Sequence, residues 1–75
     1  MRNEEERIRI GLRIAEIRKQ KGWTQEELAA KTNLYRGHIA SIETGRYNIQ
    51  IDTLALIADA FGMTVDFIKK KKDVC

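Results

Sequence analysis

Thr24-Gln25-Glu26-Glu27-Leu28-Ala29-Ala30-Lys31-Thr32-Asn33-Leu34-Tyr35-Arg36-Gly37-His38-Ile39-Ala40-Ser41-Ile42-Glu43-Thr44-Gly45-Arg46 spells out two short helices with a tight turn between them. Thr24 stands three residues before Glu27, the spacing of a capping box. In that motif each side chain satisfies a backbone donor left over at the helix start. Leu28, Ala29 and Lys31 carry this helix to about Thr32. Asn33 follows where the chain must turn sharply, and Asn tolerates the left-handed conformation better than most residues. The next helix runs from about Arg36 to Thr44 and stops at Gly45. Its Ile39 and Ile42 point inward, which leaves Arg36, Gly37, His38 and Ser41 for the outer face.

Upstream, a long helix is expected from about Asn3 to Lys21. Asn3 is a candidate N-cap, and Glu4, Glu5 and Glu6 lie where the helix dipole favours negative charge. Ile10, Ile14 and Ile17 recur at helical spacing and face the core. Ile8, Leu12 and Ala15 form a second stripe almost opposite the first. Two readings of it stay open: packing against the chain's ends, or a dimer contact that buries the second face. Downstream, a helix from about Ile51 to Phe61 offers Leu54, Ile57, Ala58 and Phe61 to the core. Thr64 then caps a short fifth helix carrying Val65, Asp66, Phe67 and Ile68. Gly22, Gly45 and Gly62 each follow a helical pattern, where a left-handed residue ends a helix. The expectation is an all-α fold, a compact five-helix bundle built around a helix-turn-helix. It forms a single domain over residues 1–75, with its core at about 10–68 and a basic tail at 69–75.

Composition narrows the classes of function. The 75 residues are 43% hydrophobic and 33% charged, which fits one small globular domain rather than a disordered chain. No apolar run approaches the roughly 20 residues of a membrane helix. The amino terminus lacks the apolar stretch of a secretion signal, so a cytoplasmic location is expected. Cys75 and His38 are the sole cysteine and histidine, which excludes an internal disulfide and disfavours a zinc site. Cys75 is expected as a free thiol. A catalytic triad has only one imidazole to build on, and no pair of ionisable groups converges on a pocket, so neither enzyme nor cofactor chemistry is expected. The net charge of +3 favours an anionic partner only weakly. Lys69-Lys70-Lys71-Lys72 reads first as a solvated tail and second as a DNA contact.

The geometry of the central stretch says more. A short turn sets two helices at a steep angle, so that the second can enter a DNA major groove about 12 Å wide. Bulky apolar side chains at its leading positions defeat that fit. Here Gly37 removes bulk, while Arg36 and His38 offer donors.

These residues carry a resemblance. Gly22-Trp23-Thr24-Gln25-Glu26-Glu27-Leu28-Ala29, Asn33-Leu34 and Ile39-Ala40-Ser41-Ile42-Glu43-Thr44-Gly45-Arg46 resemble the lambda-repressor-like, Cro/CI-type (XRE) helix-turn-helix family. The run from Leu54 to Thr64 is similar to that family's fourth helix and the turn after it. The likeness covers about Ile10 to Ile68 and implies a DNA-binding transcriptional regulator, a repressor or autoregulator on a palindromic operator. It implies phosphate contact for Gln25, whose bland alternative is a simple helix-start residue. Arg36, Gly37, His38 and Ser41 fall on base-contacting positions. The fork of Arg36 matches the two acceptors of a guanine edge, with a phosphate contact as its alternative. Tyr35 stands where the family often has Ser or Thr, which weakens the expected N-cap and sets a ring against the DNA backbone. Thr44, Arg46, Tyr47 and Asn48 form a loop that touches phosphates in the family. Ile49 replaces a proline common there. Arg18 and Glu43 match a structural ion pair, and Trp23 reads as packing rather than base stacking.

So small a domain makes few base contacts, and a homodimer on two half-sites roughly 34 Å apart is the expected partner of double-stranded DNA. The family's usual dimer region maps onto Val65, Phe67 and Ile68, with Ile8 and Leu12 as further candidates. Restriction-modification controller and antitoxin-type regulator are alternatives of the same chemistry. The rival of another class is a protein-interaction module without DNA binding. On this reading Arg36→Ala relaxes preference at one base pair per half-site, and substitution of Gln25 weakens all duplexes about equally.

Overall fold

The computed structural model describes residues 3–68. Helix α1 (Asn3–Gln20) opens with Glu4, Glu5 and Glu6 and closes with Arg18 and Lys19, so both ends complement the helix dipole. It stops at Gly22, whose N–H donates to the Lys19 carbonyl at 2.9 Å. Helix α2 (Gln25–Thr32) starts at Thr24 with both halves of the capping box formed. Asn33 ends it at φ 62°, the left-handed conformation. Helix α3 (Arg36–Glu43) follows after three residues, and α4 (Ile51–Phe61) closes at Gly62.

One core joins the four helices. Ile14 and Ile17 of α1 meet Leu28 and Ala29 of α2, Ile39 and Ile42 of α3, and Leu54, Ile57 and Phe61 of α4. Ile39 is fully buried and Ile42 is 2% exposed. Burying two such side chains stabilises by roughly 3–6 kcal/mol, more than the roughly 1 kcal/mol of a missing helix cap. This matters for α3, because Tyr35 at its N-cap makes no side-chain cap bond.

Two glycines set how closely the pieces approach. A Cβ at Gly11 would run into the backbone carbonyl oxygens of Ile42 and Glu43, the latter at 2.8 Å. Only glycine lets α1 lie this close to the end of α3. Gly45 holds φ 78°, and a Cβ there would meet Cγ1 of Ile8 at 2.7 Å. The amino-terminal part of α1 is thereby seated on the loop that leaves α3.

The fifth helix of the sequence reading is corrected. Val65–Ile68 forms one 3₁₀ turn, packed against α1 and α4, so the described fold has four α-helices. Four residues after Thr64 are too few for a ladder of i→i−4 bonds, and 3₁₀ geometry serves such short pieces. The Thr64 hydroxyl still accepts from the Asp66 N–H at 3.3 Å. The side chains of Phe67 and Ile68, the lysine run and Cys75 lie outside the described residues.

Candidate nucleic-acid interface

At about 100° per residue, burial of Ile39, Ile42 and Glu43 turns Gly37, Ser41 and Thr44 outward on α3. A Cβ at Gly37 would meet nothing within 4 Å, and Arg36 beside it is exposed. No described part of the chain covers the leading end of the helix at Gly37. Ser41 is half-buried, one turn further on. The Thr44 hydroxyl is turned back onto its own helix, donating to the Ala40 and Ser41 carbonyls at 3.0 and 3.2 Å.

His38 does not share this outward face. It stands on the flank, half-buried, with its ring edge against Tyr47 at a centroid distance of 4.6 Å and an interplanar angle of 78°. Its Nε2 is buried there with no hydrogen-bond partner among the described residues. Tyr47 in turn packs against the core, while Arg46 and Asn48 beside it are exposed. Tyr35 is 84% exposed at the tip between α2 and α3.

The opposite flank is polar and connected. Arg18 holds Glu43 through two bonds, Nε to Oε2 at 2.7 Å and Nη2 to Oε1 at 3.1 Å, with both residues buried. Its Nη1 donates to the Trp23 carbonyl at 2.7 Å. Gln25 Nε2 donates to Glu43 Oε1 at 3.0 Å, and Gln25 Oε1 accepts from Arg36 Nη1 at 3.3 Å. Arg18, Thr24, Gln25, Glu26 and Arg36 line a shallow open depression at the amino end of α2. That end carries the positive pole of the helix dipole, which attracts an anion.

Sequence reasoning missed three connections. The ties of Gln25 to both Glu43 and Arg36 have no local signal, because the three residues lie far apart in the chain. Arg7 Nε donates to the Gly45 carbonyl at 3.1 Å, fastening the loop after α3 to α1, and nothing near Arg7 announces it. Trp23 packs on the core 6.0 Å from the Phe61 ring, with Lys31 4.6 Å and Lys21 5.6 Å from its own.

The residues read as dimer contacts separate into groups. Ile8 is 42% exposed and leans on Gly45, whereas Leu12 is 63% exposed on the outside of α1. Val65 is half-buried against the core. Among the described residues, no group of three or more His, Cys, Asp or Glu is placed to hold a metal ion. No described helix is long and apolar enough to cross a membrane.

Residues 14–68 match the helix-turn-helix family. The chain is 46% identical over 59 residues to the immunity repressor protein of Bacillus phage phi105, covering 79% of this chain and 41% of that protein. It is 34% identical over 58 residues to the control protein C.BamHI of Bacillus amyloliquefaciens, covering 76% of this chain and 72% of that one. The crystal structure of the restriction-modification controller protein C.AhdI from Aeromonas hydrophila superimposes with a TM-score of 0.79 at 28% identity. That match covers 81% of this chain and 92% of that chain. The chain thus spans less than half of the phage repressor but nearly all of the controller. With the helix pair, its turn and the uncovered leading end of α3 all in place, the chain belongs to the XRE-type helix-turn-helix family of transcriptional regulators.

Proposed function

We propose that this protein binds double-stranded DNA sequence-specifically, laying α3 in the major groove, and regulates transcription by occupying a palindromic operator as a homodimer. The observation that carries the reading is the open leading end of α3, where a Cβ at Gly37 would meet nothing within 4 Å and Arg36 stands exposed. In this reading Arg36, Gly37 and Ser41 face base edges, with His38 beside them on the Tyr47 flank. Gln25, Tyr35, Thr44, Arg46, Tyr47 and Asn48 lie along the phosphates and fix the register of the helix. Arg18 and Glu43 hold the angle between the helices. Leu12, Ile8 and the segment around Val65, Phe67 and Ile68 supply the apolar area for a second copy.

The specialised form we propose is a controller of a restriction-modification system, on its similarity to proteins of that kind. The matched region covers 72% of C.BamHI and 92% of C.AhdI.

Selection of bound duplexes from a random pool, at low salt and again at higher salt, tests the function. The expected result is one enriched palindrome, with half-sites about one DNA turn apart and affinity falling steeply as salt rises. Retention of no duplex at any salt overturns the reading and favours a protein-interaction module.

A further inference from the structure

We propose that His38 is a positioning residue and not a base-reading one: its ring seats Tyr47 and so sets the register in which Arg46 and Asn48 meet the phosphates. The inference rests on the DNA-binding reading above and deepens it. It changes the role given to His38, which the sequence places among the base contacts.

The loop after α3 is held in two ways. As far as Arg46 its backbone is tied. Gly45 N–H donates to the Ile42 carbonyl at 3.1 Å, Arg46 N–H donates to the Ser41 carbonyl at 3.0 Å, and the Gly45 carbonyl accepts from Arg7 Nε at 3.1 Å. Beyond Arg46 side-chain packing carries the hold. Arg46, Asn48 and Gln50 are exposed, whereas Tyr47 and Ile49 between them are half-buried against the core. In a run that alternates like this, successive side chains point to opposite sides, and a slip of one residue exchanges the inner and outer sets. Whatever holds Tyr47 inward therefore holds Arg46 and Asn48 outward.

His38 supplies that hold from the recognition helix. Its ring meets Tyr47 edge to face, with 4.6 Å between centroids and 78° between planes. Aromatic pairs favour this arrangement, because the positive edge of one ring faces the negative face of the other. Nε2 is closed off from solvent with no hydrogen-bond partner among the described residues. A buried nitrogen left unpaired gives up its hydration and gains no bond in return. The contact thus uses the shape of the ring and not this nitrogen, the opposite of what reading a base edge requires. His38 follows Gly37 directly, so the base-facing end of α3 and the phosphate-facing loop are joined through one ring contact.

The test measures wild type, His38→Ala, His38→Phe and Arg46→Ala over a range of salt. Each is assayed on the duplex that wild type selects and on duplexes with one base pair of a half-site exchanged. His38→Ala is expected to weaken every duplex alike, by about 1.5- to 5-fold, the range of an exposed ion pair. Its slope of log affinity against log salt is expected to flatten by about 0.9, the value of one phosphate contact. In the Arg46→Ala background, His38→Ala is expected to flatten the slope no further. His38→Phe keeps a ring for Tyr47 and is expected to keep wild-type affinity, slope and preference. Tyr47→Leu keeps apolar packing and lacks the ring; it is expected to repeat the loss, and it decides the matter alone if His38→Ala fails to fold. Thermal unfolding well above the assay temperature identifies the folded variants. A loss of preference confined to one base pair, in His38→Ala or His38→Phe, overturns the proposal and makes His38 a reading residue. A wild-type salt slope in folded His38→Ala or Tyr47→Leu also overturns it, and both outcomes leave DNA binding standing. Wild-type protein that retains no duplex overturns the functional reading itself.

Discussion

The two eight-residue helices of the motif, α2 and α3, are held in place by opposite means. Helix α2 closes itself. Thr24 and Glu27 satisfy donors at its start through bonds of 3.0 and 2.7 Å, and Asn33 returns its N–H to the last turn. Helix α3 closes itself only at its far end. Its start at Tyr35 carries no side-chain cap and its first turn has no acidic residue, although its far end closes on the left-handed Gly45, with Arg46 N–H returning to the Ser41 carbonyl at 3.0 Å. What keeps it in place is inward: Ile39, Ile42 and the Glu43 carboxylate on Arg18. A helix fixed from within keeps its outward side and first N–H groups for something else. An acid at its first turn would repel an approaching phosphate, so the missing acid fits the proposed role.

The largest effect breaks α3 and spares α2. Glu43→Ala leaves the guanidinium of Arg18, a residue only 8% exposed, without its carboxylate in a buried site. Losing one partner of a buried pair costs about 3–5 kcal/mol, because the charge left behind stays desolvated. For a domain of marginal stability that is a large fraction of the whole. Urea unfolding is expected to show this loss, and amide exchange in α3 is expected to accelerate more than in α2. A loss under about 1 kcal/mol, or equal acceleration in both helices, refutes the view that α3 depends on its neighbours.

The contrast also explains what the sequence disclosed. The ends of α2 were legible because a capping box and a left-handed Asn are patterns within a few residues. The start of α3 was legible as a departure, since Tyr35 offers no short oxygen to a backbone donor. Gly11 was not legible, because its lack of a side chain is required by the carbonyls of Ile42 and Glu43 across the fold. His38 was within reach of sequence: one residue past Gly37 is a 100° step, which carries it off the outward face toward the following loop. That Tyr47 receives its ring depends on the path of that loop, and local pattern does not give it. The fifth helix failed on length. The apolar residues after Thr64 were read as a short helix, but one turn does not select α over 3₁₀ geometry.

A middle-sized effect reverses the first. Thr24→Ala removes the hydroxyl that accepts from Glu27 N–H at 3.0 Å, and substitution of such a cap costs about 1 kcal/mol. For a domain of this size that lowers the melting temperature by roughly 4–8 °C. Exchange is expected to accelerate in the first turn of α2, with α3 little changed. Preference among duplexes is expected to stay as in wild type. A change of base preference would mean that the cap also orients Gln25, and the two helices would no longer count as separately held.

The smallest effect sharpens the comparison by giving the start of α3 the closure it lacks. Tyr35 already has the extended backbone of an N-cap, φ −87° and ψ 149°, so Ser at this position needs no change of path. Tyr35→Ser supplies an oxygen for a first-turn N–H and removes a ring that is 84% exposed and contributes little packing. A gain of about 0.5–1 kcal/mol is expected, seen as a rise of a few degrees in thermal unfolding. DNA affinity is expected to move the other way if the ring lies along the backbone, and by a similar factor for every duplex, since phosphate contacts carry no sequence information. Stability up with affinity down, in one protein, separates what the position does for the fold from what it does for the ligand. Stability unchanged shows instead that Ile39, Ile42 and Glu43 already saturate the hold on α3, and the open helix start then costs the fold nothing.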